Sequence, residues 1–241
     1  MPSIHYSVCI GLLNRCSRLM LSNIALSHEG IFGETTAIID RSIFESCVKL
    51  SWLCQKGDIE SFERYLADGL KTELEFKATI KKAIAERAGQ ALVIEMRMLD
   101  SIQRYIASST LSESQIQESK SLPDLASMLG TLRHSRLMYI VGQKIGSHHV
   151  HGTWPSLKLH YLEMTQEGFW APRDHNCPTN QNQYVYIPLG LLDAMKSFIG
   201  FCVEEPEERI PFIELLDSIM EEIKKYVREA DGDDFDPAPA T

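Results

Sequence analysis

The sequence predicts an all-α fold, a multi-helix antiparallel bundle with a long irregular loop before the last two helices. Three observations carry that prediction. Apolar residues recur at helical spacing along most of the chain. Alternating β-branched runs are nearly absent, with short strand candidates only near Phe169 and Val185. The helical stretches are long and follow one another across Gly, Pro and polar breaks, as in helices that turn back on their neighbours.

Ile4 to about Ser27 reads as a first helix, with Ile4, Val8, Leu12, Leu19 and Leu26 near helical spacing, and Gly30 and Gly33 break it. Thr35 or Thr36 can cap a second helix running to about Gln55. Its apolar positions lie nearly all round, from Ile38 to Leu53, which predicts a central, buried helix. Gly57-Asp58 stops that helix and caps the next, which runs from Ile59 to about Ala88 with one charged face. A further helix covers about Ala91 to Ala107. Ser108 to Ser121 is polar and Ser-rich, a loop or short solvated helix. Pro123 starts a short helix ending at Gly130, and another covers about Leu132 to Ile145. Trp154 to Glu163 reads as helix, with Pro155 in its first turn. Gly168 to Tyr184 is the long irregular segment. Ile187–Val203 and Pro206–Arg228 form a closing helical hairpin, and Asp231–Thr241 is a disordered acidic tail. Residues 1–230 thus read as a single helical domain.

Composition removes several function classes. The 24 Lys and Arg are outnumbered by 33 Asp and Glu, for a formal charge of −9. That argues against broad duplex DNA binding, which needs a basic face, and leaves room for a small local RNA site. The start, MPSIHYSVCIGLL, lacks the basic region of a signal peptide, and no uninterrupted apolar run approaches membrane-spanning length. No membrane partner is expected, and the cytoplasm is the expected compartment. Cys9 and Cys16 are seven apart, as are Cys47 and Cys54. Two helical turns put each pair on one face but too far apart for a disulfide within the pair, so reduced, buried thiols are expected.

Two clusters of polar residues sit in apolar surroundings, where such groups need partners or a task. Arg41 and Glu45 are four apart and share a face of the second helix. A buried polar network, a ligand or catalytic role and an exposed ion pair all fit that spacing. The second cluster is GSHHVHGTWPSLKLHYLE, Gly146–Glu163, with His148, His149, His151 and His160. Ser147 and His151 share a face if the helix continues past Gly146. Histidine is the usual general acid or base near neutral pH, and His151 is equally placed to order the turn before Gly152. Trp154, Leu157 and Tyr161 fall at helical spacing, more in keeping with core than with a stacking platform. No metal set is expected: His148 and His149 point apart on a helix, HExxH is absent, and His175 with Cys177 lacks two further ligands. No cofactor is expected either, since GxxxxGK[ST], a strand-led GxGxxG and GxSxG are all absent.

On RSIFESCVKLSWL (Arg41–Leu53), SLPDLASMLG (Ser121–Gly130), and Tyr139 followed by SHHVHGTWPSLKLHYLE (Ser147–Glu163), the chain resembles a prokaryotic helical family, the domain of unknown function family 5677. The resemblance covers about residues 40–203, closing helices included. It implies an all-helical fold and a bacterial defence or stress-response setting, and no known activity. More distantly, the chain is similar to the "higher eukaryotes and prokaryotes nucleotide-binding" superfamily. Many of its members are ribonucleases in toxin–antitoxin and phage-defence systems, with an Arg and a His a short spacer apart in a symmetric dimer. Here Lys144, seven residues before His151, stands in place of that Arg and lacks its bidentate fork.

Three readings of different class follow. One is an interaction or sensing module with a polar pocket lined by Arg41, Glu45, Ser147 and His151, with His149, Trp154, Tyr139 and His160 as ligand contacts. Another is a metal-independent ribonuclease. There His151 is the general acid/base, Arg41 and Lys144 stabilise the phosphorane, and Ser147 or Glu45 orients the base. A structural scaffold is the third. Whether the chain is an enzyme stays open, as do an RNA or small ligand, a protein partner and a homodimer.

Overall fold

A computed structural model describes residues 3–29, 32–173, 177 and 183–231. Gly30, residues 174–176 (His175 among them) and 178–182 of the loop 168–184, and nearly all of the acidic tail lie outside the described residues. The class is all-α with one small β-hairpin. The chain, read as one domain from sequence, packs as two compact units: residues 1–55 with 125–241, and residues 56–124.

In the first unit, α1 (Ser3–Glu29) and α2 (Gly33–Lys56) run antiparallel and meet in rungs seven residues apart. Cys9 faces Cys54 with sulfurs 4.0 Å apart, and Cys16 faces Cys47 at 3.9 Å. At the third rung Asn23 Nδ2 donates to Asp40 Oδ1. A seven-residue repeat keeps one seam of two helices in register. α2 is the central helix that its apolar circumference predicts, with Ile43, Leu50, Trp52 and Leu53 buried. It begins at Gly33 rather than after a Thr cap. The Thr36 hydroxyl instead donates back to the carbonyls of Phe32 and Gly33.

α6 (Leu125–Thr131) leads into one continuous helical rod: α7 (Arg136–Tyr139), a π-helical segment (Ile140–Ile145) and α8 (Gly146–His151). Helix was expected to end at Ile145. It continues because Gly146 keeps α-helical dihedrals, and the chain turns instead at Gly152, whose φ of 56° is left-handed. α9 (Trp154–His160) starts with Pro155 in its first turn, as expected, but stops three residues short of Glu163. There the backbone enters β1 (Leu162–Met164), which pairs antiparallel with β2 (Trp170–Pro172) in the register Leu162↔Pro172. α10 (Gln183–Cys202) and α11 (Pro206–Asp231) form the closing hairpin. The 19 residues Tyr184–Cys202 are long and apolar enough to cross a membrane by length and composition. Asp193 and Lys196 interrupt this stretch, so the expectation that no uninterrupted apolar run approaches that length is unchanged.

The second unit holds α3 (Ile59–Glu86), α4 (Val93–Ser108) and α5 (Glu113–Glu118). Asp58 caps α3 by accepting from Ser61 N at 2.7 Å. Ser112 and Gln115 form a capping box on α5, so the Ser-rich stretch contains a short helix. Leu70, Leu74 and Ile80 of α3 pack with Ile102 and Ile106 of α4 and with Leu111 and Ile116, giving this unit its own core.

Candidate functional site

The site is built where the rod lies against α2. A Cβ at Gly142 would meet the Phe44 ring at 2.5 Å, and one at Gly146 would meet Arg41 Cβ at 2.9 Å. Two glycines four apart therefore let the rod approach α2 closely, a spacing that small residues serve in any tight helix crossing. That approach brings Arg41 Nε to 3.2 Å from Ser147 Oγ, across 106 residues of sequence. Ser147 donates in turn to the Gln143 carbonyl at 2.7 Å, so its oxygen is free to accept from the guanidinium.

Two turns earlier on α2, the same side carries Glu34. It accepts hydrogen bonds from Ser156 Oγ and from Tyr161 OH. Its place in the first turn of a long helix suits a negative charge. Burial pushes the carboxyl up, but the two hydroxyls and the imidazoles of His160 and His149 outweigh it, and the net shift is downward. Tyr161 is pushed up by the carboxylate that its hydroxyl contacts.

Beside this carboxylate, His160 Nε2 and His149 Nδ1 lie 3.2 Å apart, with the rings edge to face. Burial lowers both imidazoles, His160 further through His149, and Glu34 opposes the shift in each. A hydrogen bond between two neutral imidazoles needs one donor and one acceptor. His160 is only 8% exposed, and its Nδ1 is buried without a partner. It lines a small cleft with Phe32, Gly33, Glu34, Thr35, Tyr161 and Cys177. At the same end Arg173 holds Cys177 Sγ at 2.8 Å through Nη1, while its Nε is buried and unpartnered.

A family model described as a family of unknown function (DUF5677) matches residues 6–169, which contain α2, the rod, α9 and β1. The chain belongs to this family. Comparison with curated proteins and with solved structures gives no match. The DUF5677 match begins in α1, well before residue 40, and leaves out α10 and α11, so the closing hairpin lies beyond the matched segment.

Within the DUF5677 segment the residues expected from sequence divide. Arg41 and Ser147 come together. Glu45 pairs with Lys49 at 2.6 Å along its own helix rather than with Arg41. His149 and His160 form the imidazole pair, and His148 turns to Thr153 Oγ1 at 2.7 Å. His151 is exposed at the end of α8. Lys144 is also exposed, its ammonium 5.7 Å from the Tyr139 ring. Trp154, expected in the core, is 53% exposed and stacks edge to face on Trp170, which also receives Lys158 at 5.4 Å. The hairpin that brings Trp170 there replaces the expected last turn of α9, which explains the difference. Sequence reasoning missed Glu34, Ser156 and Tyr161, which join residues more than 120 apart. It also missed the Gly142–Gly146 spacing, which was visible. Among the described residues no three His, Cys, Asp or Glu are grouped to hold a metal ion. A larger groove lies on the second unit, lined by Glu60, Glu63, Arg64, Glu118 and Lys120. Its charges are mixed and open to solvent, and it pairs no nucleophile with a base.

Proposed function

We propose that this chain is a ligand-sensing interaction module whose binding site is the cleft at the start of α2. One observation carries the reading. His160 lines the cleft and is almost fully buried, yet its Nδ1 has no hydrogen bond. Leaving a buried polar atom unpaired costs about 1–3 kcal/mol, so an unpaired atom on a cleft-lining residue fits a partner that arrives. With His160 donating from Nε2 to His149, its Nδ1 is an acceptor, and Glu34 supplies a second acceptor close by. These groups suit a small polar ligand that offers hydrogen-bond donors, an amine or hydroxyl rather than a phosphate. The experiment is thermal denaturation of the wild type, Glu34→Gln and His160→Gln with free amino acids, polyamines, nucleosides and nucleotides. Amines or hydroxylated compounds are expected to raise Tm in the wild type and to lose at least tenfold in affinity in either variant. A panel that moves none of the three proteins, or moves all three alike, would remove the cleft from the proposal.

The ribonuclease reading keeps one supporting observation. The Arg41 guanidinium touches Ser147, one helical turn before His151 on α8. Incubation with total RNA, with and without chelator, beside His151→Ala and Arg41→Ala, tests it directly. Cleavage lost in both variants favours the enzyme, and absence of cleavage favours the module.

A further inference from the structure

We infer that the α1–α2 seam is a double dithiol site, which oxidises to two interhelical disulfides, Cys9–Cys54 and Cys16–Cys47. The four sulfurs already sit as two facing pairs, at 4.0 and 3.9 Å. A disulfide bond is about 2.05 Å long, so each pair has about 2 Å left to close, within reach of side-chain rotation and a small approach of the helices. Seven-residue spacing on both antiparallel helices means that closing one pair holds the other in register. The inner pair is anchored further, since Cys16 Sγ also lies 3.9 Å from the Ile43 carbonyl, and Arg15 reaches the Ser42 carbonyl at 2.9 Å. Nothing in the cleft or in the proposed sensing role depends on these thiols.

With a low-molecular-weight disulfide as oxidant, one thiol of the Cys9–Cys54 pair, as thiolate, attacks one of its sulfurs and expels one small thiolate. The facing thiol of the pair, as thiolate, then attacks the protein sulfur so modified and expels the second. Two protein S–H bonds are lost, one S–S bond is formed, and the oxidant leaves as two thiols. Cys47 and Cys16 follow the same course.

The test is done on the folded full-length chain carrying Cys177→Ser and Cys202→Ser, which leaves four thiols. The probe is glutathione disulfide, followed by denaturation, alkylation and peptide mapping. The expected result is loss of all four free thiols, with cross-linked peptides joining 9 to 54 and 16 to 47. The cross-linked protein should melt at a higher temperature than the reduced form, and dithiothreitol should reverse that shift. Retention of all four thiols overturns the inference, and so does any other pairing. Loss of one pair alone overturns it for the pair left reduced. If the double serine variant does not fold, the wild-type chain is mapped in the same way, and the same two cross-links are required.

Discussion

Asp40 shows how a single carboxyl can set the acid–base behaviour of a helix pair. Burial pushes it up to about 7, against the donated hydrogen bond from Asn23. Asn23 Oδ1 is itself buried without a partner, and a protonated Asp40 can donate to it, closing an acid–amide pair. The sign of the linkage follows. Between pH of about 4 and about 7 the folded state holds a proton that the unfolded state has lost, so stability falls as pH rises, by at most about 1.4 kcal/mol per pH unit. Above that window the full penalty remains. Asp40→Asn keeps the paired geometry with an amide and has no proton to lose. It is expected to flatten this part of the pH profile and to add roughly 1–3 kcal/mol at pH 8, as measured by urea denaturation at several pH values.

The rod meets α2 closely, and glycine sets the distance. Gly142→Ala forces a methyl into the Phe44 ring and is expected to destabilise the protein by about 1–3 kcal/mol. Gly69 lies within α3 with nothing near its missing Cβ, so Gly69→Ala is expected to stabilise by about 0.5–1 kcal/mol. Paired denaturation curves of the two variants check both signs. The same contrast shows what sequence can and cannot disclose about this protein. Period and breaks were enough for α2, α3 and the closing hairpin, because α2 is apolar nearly all round, α3 buries one regular apolar face, and Pro206 marks the start of the last helix. Of the two-stranded hairpin they disclosed only the short candidate near Phe169, beside β2; β1 lies in a stretch read as helix, and the candidate near Val185 lies in α10, since strands of three residues are too short to show alternation. Of the four residues expected to line one pocket, the close crossing brings Arg41 to Ser147, while Glu45 pairs with Lys49 and His151 is exposed. The pairing of Glu34 with Tyr161 was not expected, since nothing local in either segment points to the other.

At the scale of the molecule, the second unit has a closed set of apolar contacts among α3, α4 and α5. A peptide of residues 56–124 is expected to show a helical circular dichroism spectrum and a cooperative thermal transition, and Ile102→Ala in it to lower the midpoint. A coil-like spectrum would mean that this core needs the rest of the chain. The chain reads from sequence as one domain because both units are helical, although charged residues are denser in the second unit, 22 of its 69 residues against 35 of 172 in the first. The π-helical segment has a consequence for comparing relatives of this chain. An ordinary α-turn advances about 100° per residue, and a π segment absorbs one residue without lengthening the rod by a full α-step. Two members of the family could therefore keep every side chain of α8 and differ only by one residue between 140 and 145. Where the shorter one has α-helix in place of the π segment, both turn the same face of α8 to α2, so a one-residue gap between 140 and 145 leaves the site intact.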